Sequence, residues 1–249
     1  MLCKKRFISN LGFKMRNEVK TVNNRENKKK QEKSTEVPSA VIRRLPRYHR
    51  FLGELSRKNI SRISSASLSR MMGVTASQIR QDLNCFGGFG QQGYGYNVPY
   101  LYEQIGALLG VDEGYSAVVV GAGNLGRALV NSHMFERRGV LRAAMFDVDP
   151  TVVGTSVNGI DVLSMDTVEA YVAENGVDIA VLTTPKDAAQ PVAERLAKAG
   201  VRGIWNFSNM ELSLPAYPDV WIENIHMGDS LMLLCYQMKA KGKRKGENE

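Results

Sequence analysis

Residues 116–126 read Ser-Ala-Val-Val-Val-Gly-Ala-Gly-Asn-Leu-Gly. The apolar run Ala117-Val118-Val119-Val120 predicts a buried strand, the glycines a tight turn, and the segment beyond them a helix. Strand, glycine turn and helix in that order form a dinucleotide-binding loop. Gly121 permits the turn, Gly123 lets backbone approach a pyrophosphate, and Gly126 lets helix pack on strand. Ala122, Asn124 and Leu125 complete the loop, and the helix N-terminus offers its free N–H groups to phosphate.

C-terminal to the loop, strands are predicted at 142–147, 178–183, 202–206 and 219–222, with helices at 124–136, 165–175 and 187–199. Such alternation gives an α/β fold with a parallel sheet. Asp147 ends the second strand about 20 residues after the loop, the spacing of an acid that grips ribose hydroxyls and repels a 2′-phosphate. The ligand read from these residues is therefore NAD(H) rather than NADP(H). Thr183-Thr184-Pro185 and Trp205-Asn206-Phe207-Ser208 end later strands at the same carboxyl edge. That placement makes Thr184, Pro185 and Asn206 cofactor contacts as well, although capping alone would account for either loop.

A dehydrogenase also needs an acid–base group beside the nicotinamide. The three histidines, His49, His133 and His226, are not predicted at a strand edge with an Arg or Asp neighbour. No enzyme is expected, and no catalytic residue is assigned.

N-terminal to the loop the chain changes character. Val37–Lys58 has helical spacing, with Ile42, Leu45, Tyr48, Leu52 and Leu55 on one face. Pro46 should bend or restart that helix. Ser64–Gly73 and Thr75–Cys85 predict two short helices, the second opened by a capping box of Thr75 and Gln78. Separated by little more than Gly73-Val74, they make a helix-turn-helix. The second helix turns Ser77, Gln78, Arg80 and Gln81 away from its Ile79/Leu83 stripe, toward a major groove. Residues 87–96 interleave glycines with Phe89, Tyr94 and Tyr96, which reads as a β-hairpin wing. Arg44, Gln92 and Tyr94 are assigned to DNA-backbone or wing contacts.

Charge follows the same division. Net charge is +7 over residues 1–36, +7 over 37–97, −9 over 98–238 and +3 over 239–249. A basic front and an acidic back mark a nucleic-acid module joined to something else. Residues 1–36 are read as a disordered basic extension: a solvated segment, an upstream start with Met15 as the true one, or an arm for DNA phosphates. The three cysteines (Cys3, Cys85, Cys235) are scattered, with neither disulfide nor metal spacing. No signal peptide or membrane span is read, so a cytoplasmic protein is expected. Residues 231–236 are apolar all round, so their helix needs burial on every side, best supplied by a second subunit. The predicted organisation is 1–36 extension, 37–97 winged helix, 98–223 Rossmann domain, 224–238 C-terminal helix and 239–249 basic tail.

From Pro38 to Met238 the chain resembles the Rex family of bacterial redox-sensing repressors. The resemblance rests on Ile42 through Pro46, Gln78 through Leu83, Phe86 through Tyr96, Gly121 through Arg127, Phe146 through Pro150, Thr183-Thr184-Pro185, Asn206-Phe207-Ser208 and Glu223-Asn224-Ile225. It implies a homodimer with the C-terminal helix swapped into the partner, bound to operator DNA when NADH is low and released by NADH. It also implies that Arg50 takes part in contacts of the NAD+ state. The chain departs from the family where the nicotinamide is read: His226 stands for an acid and His133 for an aromatic, often Tyr. The wing lacks the basic residue usual near Gln92, and Gln81 often stands as Lys. Sensing through His133 and His226, weakened sensing, and a paralogue with altered DNA binding are the readings left open. The rivals from other classes are an NAD-dependent oxidoreductase fused to a DNA module and a scaffold binding CoA or ADP.

Overall fold

The structure, a computed structural model, describes residues 37–86, 90–91 and 94–245. The predicted N-terminal extension and Gln92 lie outside them. The chain divides after Leu109 into two compact units.

In the first unit, α1 (Ser39–Ile42) stops at Arg43 and α2 (Leu45–Arg57) restarts with Pro46 in its first turn, where proline's missing N–H costs nothing. The restart shifts the helical register. Ile42, predicted on the buried face, is 49% exposed, and Val41 is buried instead. α3 (Ser65–Met72) is capped by Ser64 and ends at Gly73, whose φ of 63° suits glycine. α4 (Ala76–Asn84) is capped by Thr75, which accepts from the Gln78 backbone N–H. The reciprocal half of the predicted capping box does not form, because the Gln78 side chain turns to Asp82. Strands β1 (Arg62–Ile63), β2 (Gly90–Gln91) and β3 (Gly95–Asn97) make an antiparallel sheet in the order β1-β3-β2. With α3 and α4 this is a winged helix-turn-helix.

Helix α5 (Val98–Leu108) was predicted to open the Rossmann domain, but it belongs to the first unit. Val98, Leu101 and Ile105 are buried in one core with Leu45, Tyr48, Leu52, Ile79 and Leu83. Tyr102 stacks on His49 at 4.2 Å between ring centres and lies against Gly53, where a side chain would intrude. The boundary therefore falls at 109/110 rather than 97/98.

The second unit holds β4 (Ser116–Val120), α6 (Asn124–Asn131), β5 (Leu141–Asp147), β6 (Ser156–Val157), β7 (Ile160–Ser164), α7 (Val168–Asn175), β8 (Ile179–Leu182), α8 (Lys186–Ala199), β9 (Gly203–Asn206), β10 (Trp221–Asn224) and α9 (Met227–Lys245). The sheet runs β10-β9-β8-β4-β5-β7-β6 and is parallel except for the β6–β7 hairpin. Val118, Val120, Phe146, Ala180 and Leu182 pack in one cluster, while Ala117, Val119, Met145 and Val181 pack in another. Alternate residues thus face two cores, as a parallel sheet covered on both faces requires. Strand order reverses between β4 and β8, which opens a crevice at their carboxyl ends.

Several features differ from expectation, and three bear on the site. The hairpin was missed, although its Asn158-Gly159 loop, both residues at positive φ, is a strong turn signal. α6 ends at Asn131, because Ser132 is extended, so His133 lies in the following turn instead of late in the helix. α9 continues through the predicted basic tail to Lys245. Among the described residues no helix is long and apolar enough to cross a membrane.

Candidate nucleotide cleft and DNA-reading surface

The glycine loop joins β4 to α6 at the point where the strand order reverses. Its three glycines answer to different demands. Gly121 has φ 102°, and a Cβ there would crowd the Thr183 carbonyl and hydroxyl oxygens at 2.8 Å. A Cβ at Gly126 would overlap the Gly121 carbonyl oxygen. Gly123 has ordinary backbone angles, and nothing lies within 4 Å of where its Cβ would stand. The fold needs the first and third glycines. The second has open space around it, which leaves room for a close approach from outside.

Neighbouring groups fix the loop around Ala122. The Ala122 N–H donates to Asp147 Oδ2 at 2.5 Å, and its carbonyl accepts from Arg127 Nε at 2.7 Å. Asp147 Oδ1 also accepts the Asp149 N–H at 2.9 Å. Thr183 Oγ1 lies 2.8 Å from Gly121 O and ties β8 to the loop. Asn124, exposed, and Leu125, half-buried, form the first turn of α6, which no side chain caps. Its N–H groups are free to bind an anion. Thr184 Oγ1 is the one buried side-chain oxygen or nitrogen without a partner among the described residues. Pro185 follows it as the N-cap of α8, also without a side-chain cap. An orphaned buried hydroxyl, a second uncapped helix start and an acid at the next strand end suit a dinucleotide lying across this edge.

Asn206 does not fit its predicted role. It is 1% exposed. Its Nδ2 donates to Met210 O and Asn224 Oδ1, while its Oδ1 accepts from Ser208 N–H and hydroxyl. Its hydrogen-bonding capacity is used within the protein, so Asn206 pins the β9 edge and has no side-chain donor or acceptor left for a ligand. Asn224 in turn donates to Glu211, which meets His226 Nε2 at 2.9 Å. His226 therefore sits at the start of α9 in a chain of polar contacts leading to the sheet edge. His133 is 76% exposed and meets Glu136 at 3.1 Å. Arg50 is exposed with its guanidinium over the Phe51 ring.

On the first unit, Ser77, Arg80 and Gln81 are exposed along α4, and Arg80 donates to Ser65 Oγ at 3.1 Å. Tyr94 is exposed at the wing with Arg62 over its ring at 5.9 Å. Arg44 and Gln78 are placed differently from the prediction. Arg44 Nε and Nη2 donate to the two oxygens of Asp82, each at 2.7 Å. Gln78 Nε2 and the Tyr48 hydroxyl donate to the same carboxylate at 2.8 Å. Burial works to raise the Asp82 pKa, but the hydrogen bonds from Arg44, Gln78 and Tyr48 outweigh it and hold the carboxyl below its usual range. Burial, then the hydrogen bond to Asp82, push the Tyr48 phenol well above its ordinary value. Sequence reading missed Asp82, Arg127, Thr183 and Glu211. For Asp82 a signal existed: it is one of two acids between residues 37 and 97 and lies beside the apolar stripe of a helix.

Comparison with known proteins matches residues 112–210 to the family model "CoA binding domain" and residues 36–84 to "Putative DNA-binding protein N-terminus". A redox-sensing transcriptional repressor Rex from Thermoanaerobacter pseudethanolicus is 50% identical over 218 residues, covering 86% of this chain and 96% of that protein. The Rex repressor of Clostridioides difficile is 51% identical over 203 residues, covering 82% and 96%. Among solved structures, RSP in complex with β-NAD+ and operator DNA matches with a TM-score of 0.77 and 49% identity, over 86% of this chain and 100% of that one. RSP in complex with β-NADH gives 0.78 and 46%, over 85% and 98%. With a winged helix-turn-helix, a nucleotide cleft and half of its residues shared over most of its length, the chain belongs to the Rex family of redox-sensing transcriptional repressors.

Proposed function

We propose that this chain is an NAD(H)-responsive repressor that holds operator double-stranded DNA and is released from it by NADH. The observation that carries the nucleotide half is Gly123, a glycine the fold itself does not require. Family membership, with RSP solved both on operator DNA with NAD+ and with NADH, carries the rest. A repressor family also decides between the repressor and a fused oxidoreductase, in favour of the repressor.

Gly121, Ala122, Gly123, Asn124, Leu125 and Gly126 form the pyrophosphate cradle, Asp147 takes the ribose hydroxyls, and Thr184 and Pro185 border the nicotinamide side. Asp147 already bonds two backbone N–H groups, and its remaining lone pairs are open to hydroxyl donors. Ser77, Arg80 and Gln81 face the major groove, and Tyr94 supports the wing contacts. The protein acts in the cytoplasm as a homodimer. α9 carries the argument for the dimer: Met227, Leu231, Met232, Leu233, Leu234, Tyr236 and Met238 are each more than half exposed within one chain. Seated in a second copy, they would be covered. Arg50, His133 and His226 are the switch residues, with His226 acting through Glu211.

The test is operator binding by the purified full-length chain, titrated with NADH and with NAD+ as control. NADH should weaken operator binding about tenfold or more, the usual size of coupling between two sites. Equal affinity with and without saturating NADH would overturn the reading.

A further inference from the structure

Asp82 is an acid in a strongly basic module, placed on the helix assigned to read DNA. It is 1% exposed, and four N–H or O–H groups converge on it. Burying a carboxylate is costly unless it is paired and fully hydrogen-bonded, and an apolar residue would join two helices at least as stably. What a two-pronged Arg–carboxylate pair adds is direction, since its planar geometry fixes angle and register together. Arg44 and Tyr48 reach Asp82 from the start of α2. One turn along, Arg47 donates to the Met72 carbonyl at the end of α3. Thus α2 grips both helices of the helix-turn-helix through directional polar contacts. Ser77, Arg80 and Gln81 ride on the stretch of α4 held by Gln78 and Asp82.

We infer that Asp82 is a positioning residue for operator readout: it fixes α4 on α2 through Arg44 and Tyr48, and Arg44 serves DNA recognition only through it. This rests on the DNA-reading role of α4 proposed above.

The experiment uses the full-length chain and a duplex selected by the wild-type protein from a randomised library, with a scrambled duplex of equal length as reference. The variants are R44Q, D82N and the R44Q/D82N double. Each single variant should lose about tenfold or more in selected-over-scrambled preference, and the double should lose no more than the worse single, as coupled neighbours do. The salt dependence should stay that of wild type. Losses that multiply, with a log–log salt slope reduced by about one in R44Q, would put Arg44 on a phosphate and overturn the proposal. So would an unchanged preference in D82N. NADH binding and the helical circular dichroism signal report whether each variant folds. If D82N loses its first unit, Y48F decides, because it removes one hydroxyl and leaves the ion pair. Y48F should lose preference by about threefold with its fold intact, in line with the net worth of one ordinary hydrogen bond, and an unchanged preference would again overturn the proposal. A wild-type chain that selects no duplex would end the DNA-reading role itself, a failure separate from that of Asp82.

Discussion

Glycines 123 and 126 share a loop but answer to different constraints. Gly126→Ala drives a methyl into the Gly121 carbonyl. It should destabilise the second unit by about 2 kcal/mol or more, as overpacking against backbone does, read as a fall in the urea midpoint. Gly123→Ala meets nothing in the protein. It should leave the thermal midpoint near wild type and weaken NADH binding about tenfold, ~1.4 kcal/mol, by calorimetry. Equal NADH affinity would remove the pyrophosphate from this loop. Asn206→Ala should do the reverse of a ligand-contact mutation. It removes a buried carboxamide and leaves its four hydrogen-bond partners on Met210, Asn224 and Ser208 without it, which should cost about 2 kcal/mol of stability in chemical denaturation. The loop was legible in the sequence because its glycines report backbone needs. Asn206 and Arg44 were misread because residue type and edge position do not show which neighbour uses their hydrogen bonds.

At the scale of elements, the α2–α4 contact has a pH signature. The folded Asp82 carboxyl lies below its ordinary range, so its stabilisation is present above the unfolded pKa of ~3.9 and is lost as pH falls through the lower folded value. The cost of Asp82→Asn should therefore be largest at neutral pH and shrink on acidification. Denaturation followed by helical signal from pH 7 to pH 3 checks this, and a cost independent of pH would contradict it. Element type was legible wherever a cap or a period marked it, as at Thr75, Gly73 and β4. Ownership of α5 was not. Its apolar residues favour a helix but do not say which core they enter; the burial of Val98, Leu101 and Ile105 with Leu45, Tyr48 and Leu52, and the packing of Tyr102 on His49 and Gly53, settle that. The restart at Leu45 shows the same limit, since Pro46 signals a break but not the rotation that exposes Ile42.

For the whole molecule, the reversal of charge between front and back is legible in the amino-acid order alone and matches the division into two units. The apolar α9 is the feature that a single chain leaves unexplained. Leu234→Asp changes a residue that is half exposed within one chain. If the proposed dimer forms through α9, the variant should sediment as a monomer, and its thermal stability should lose the dependence on protein concentration expected of the wild type.

In the proposed dimer, with the nineteen-residue α9 of each subunit seated in its partner, a kinetic corollary follows. Two subunits joined this way can trade partners only by first withdrawing both arms, each exposing a run of Leu and Met to water. Populations labelled with donor and acceptor dyes would then form hybrids slowly, at a rate set by arm withdrawal and indifferent to dilution. A cell carrying two alleles would keep mostly the pairings made at synthesis.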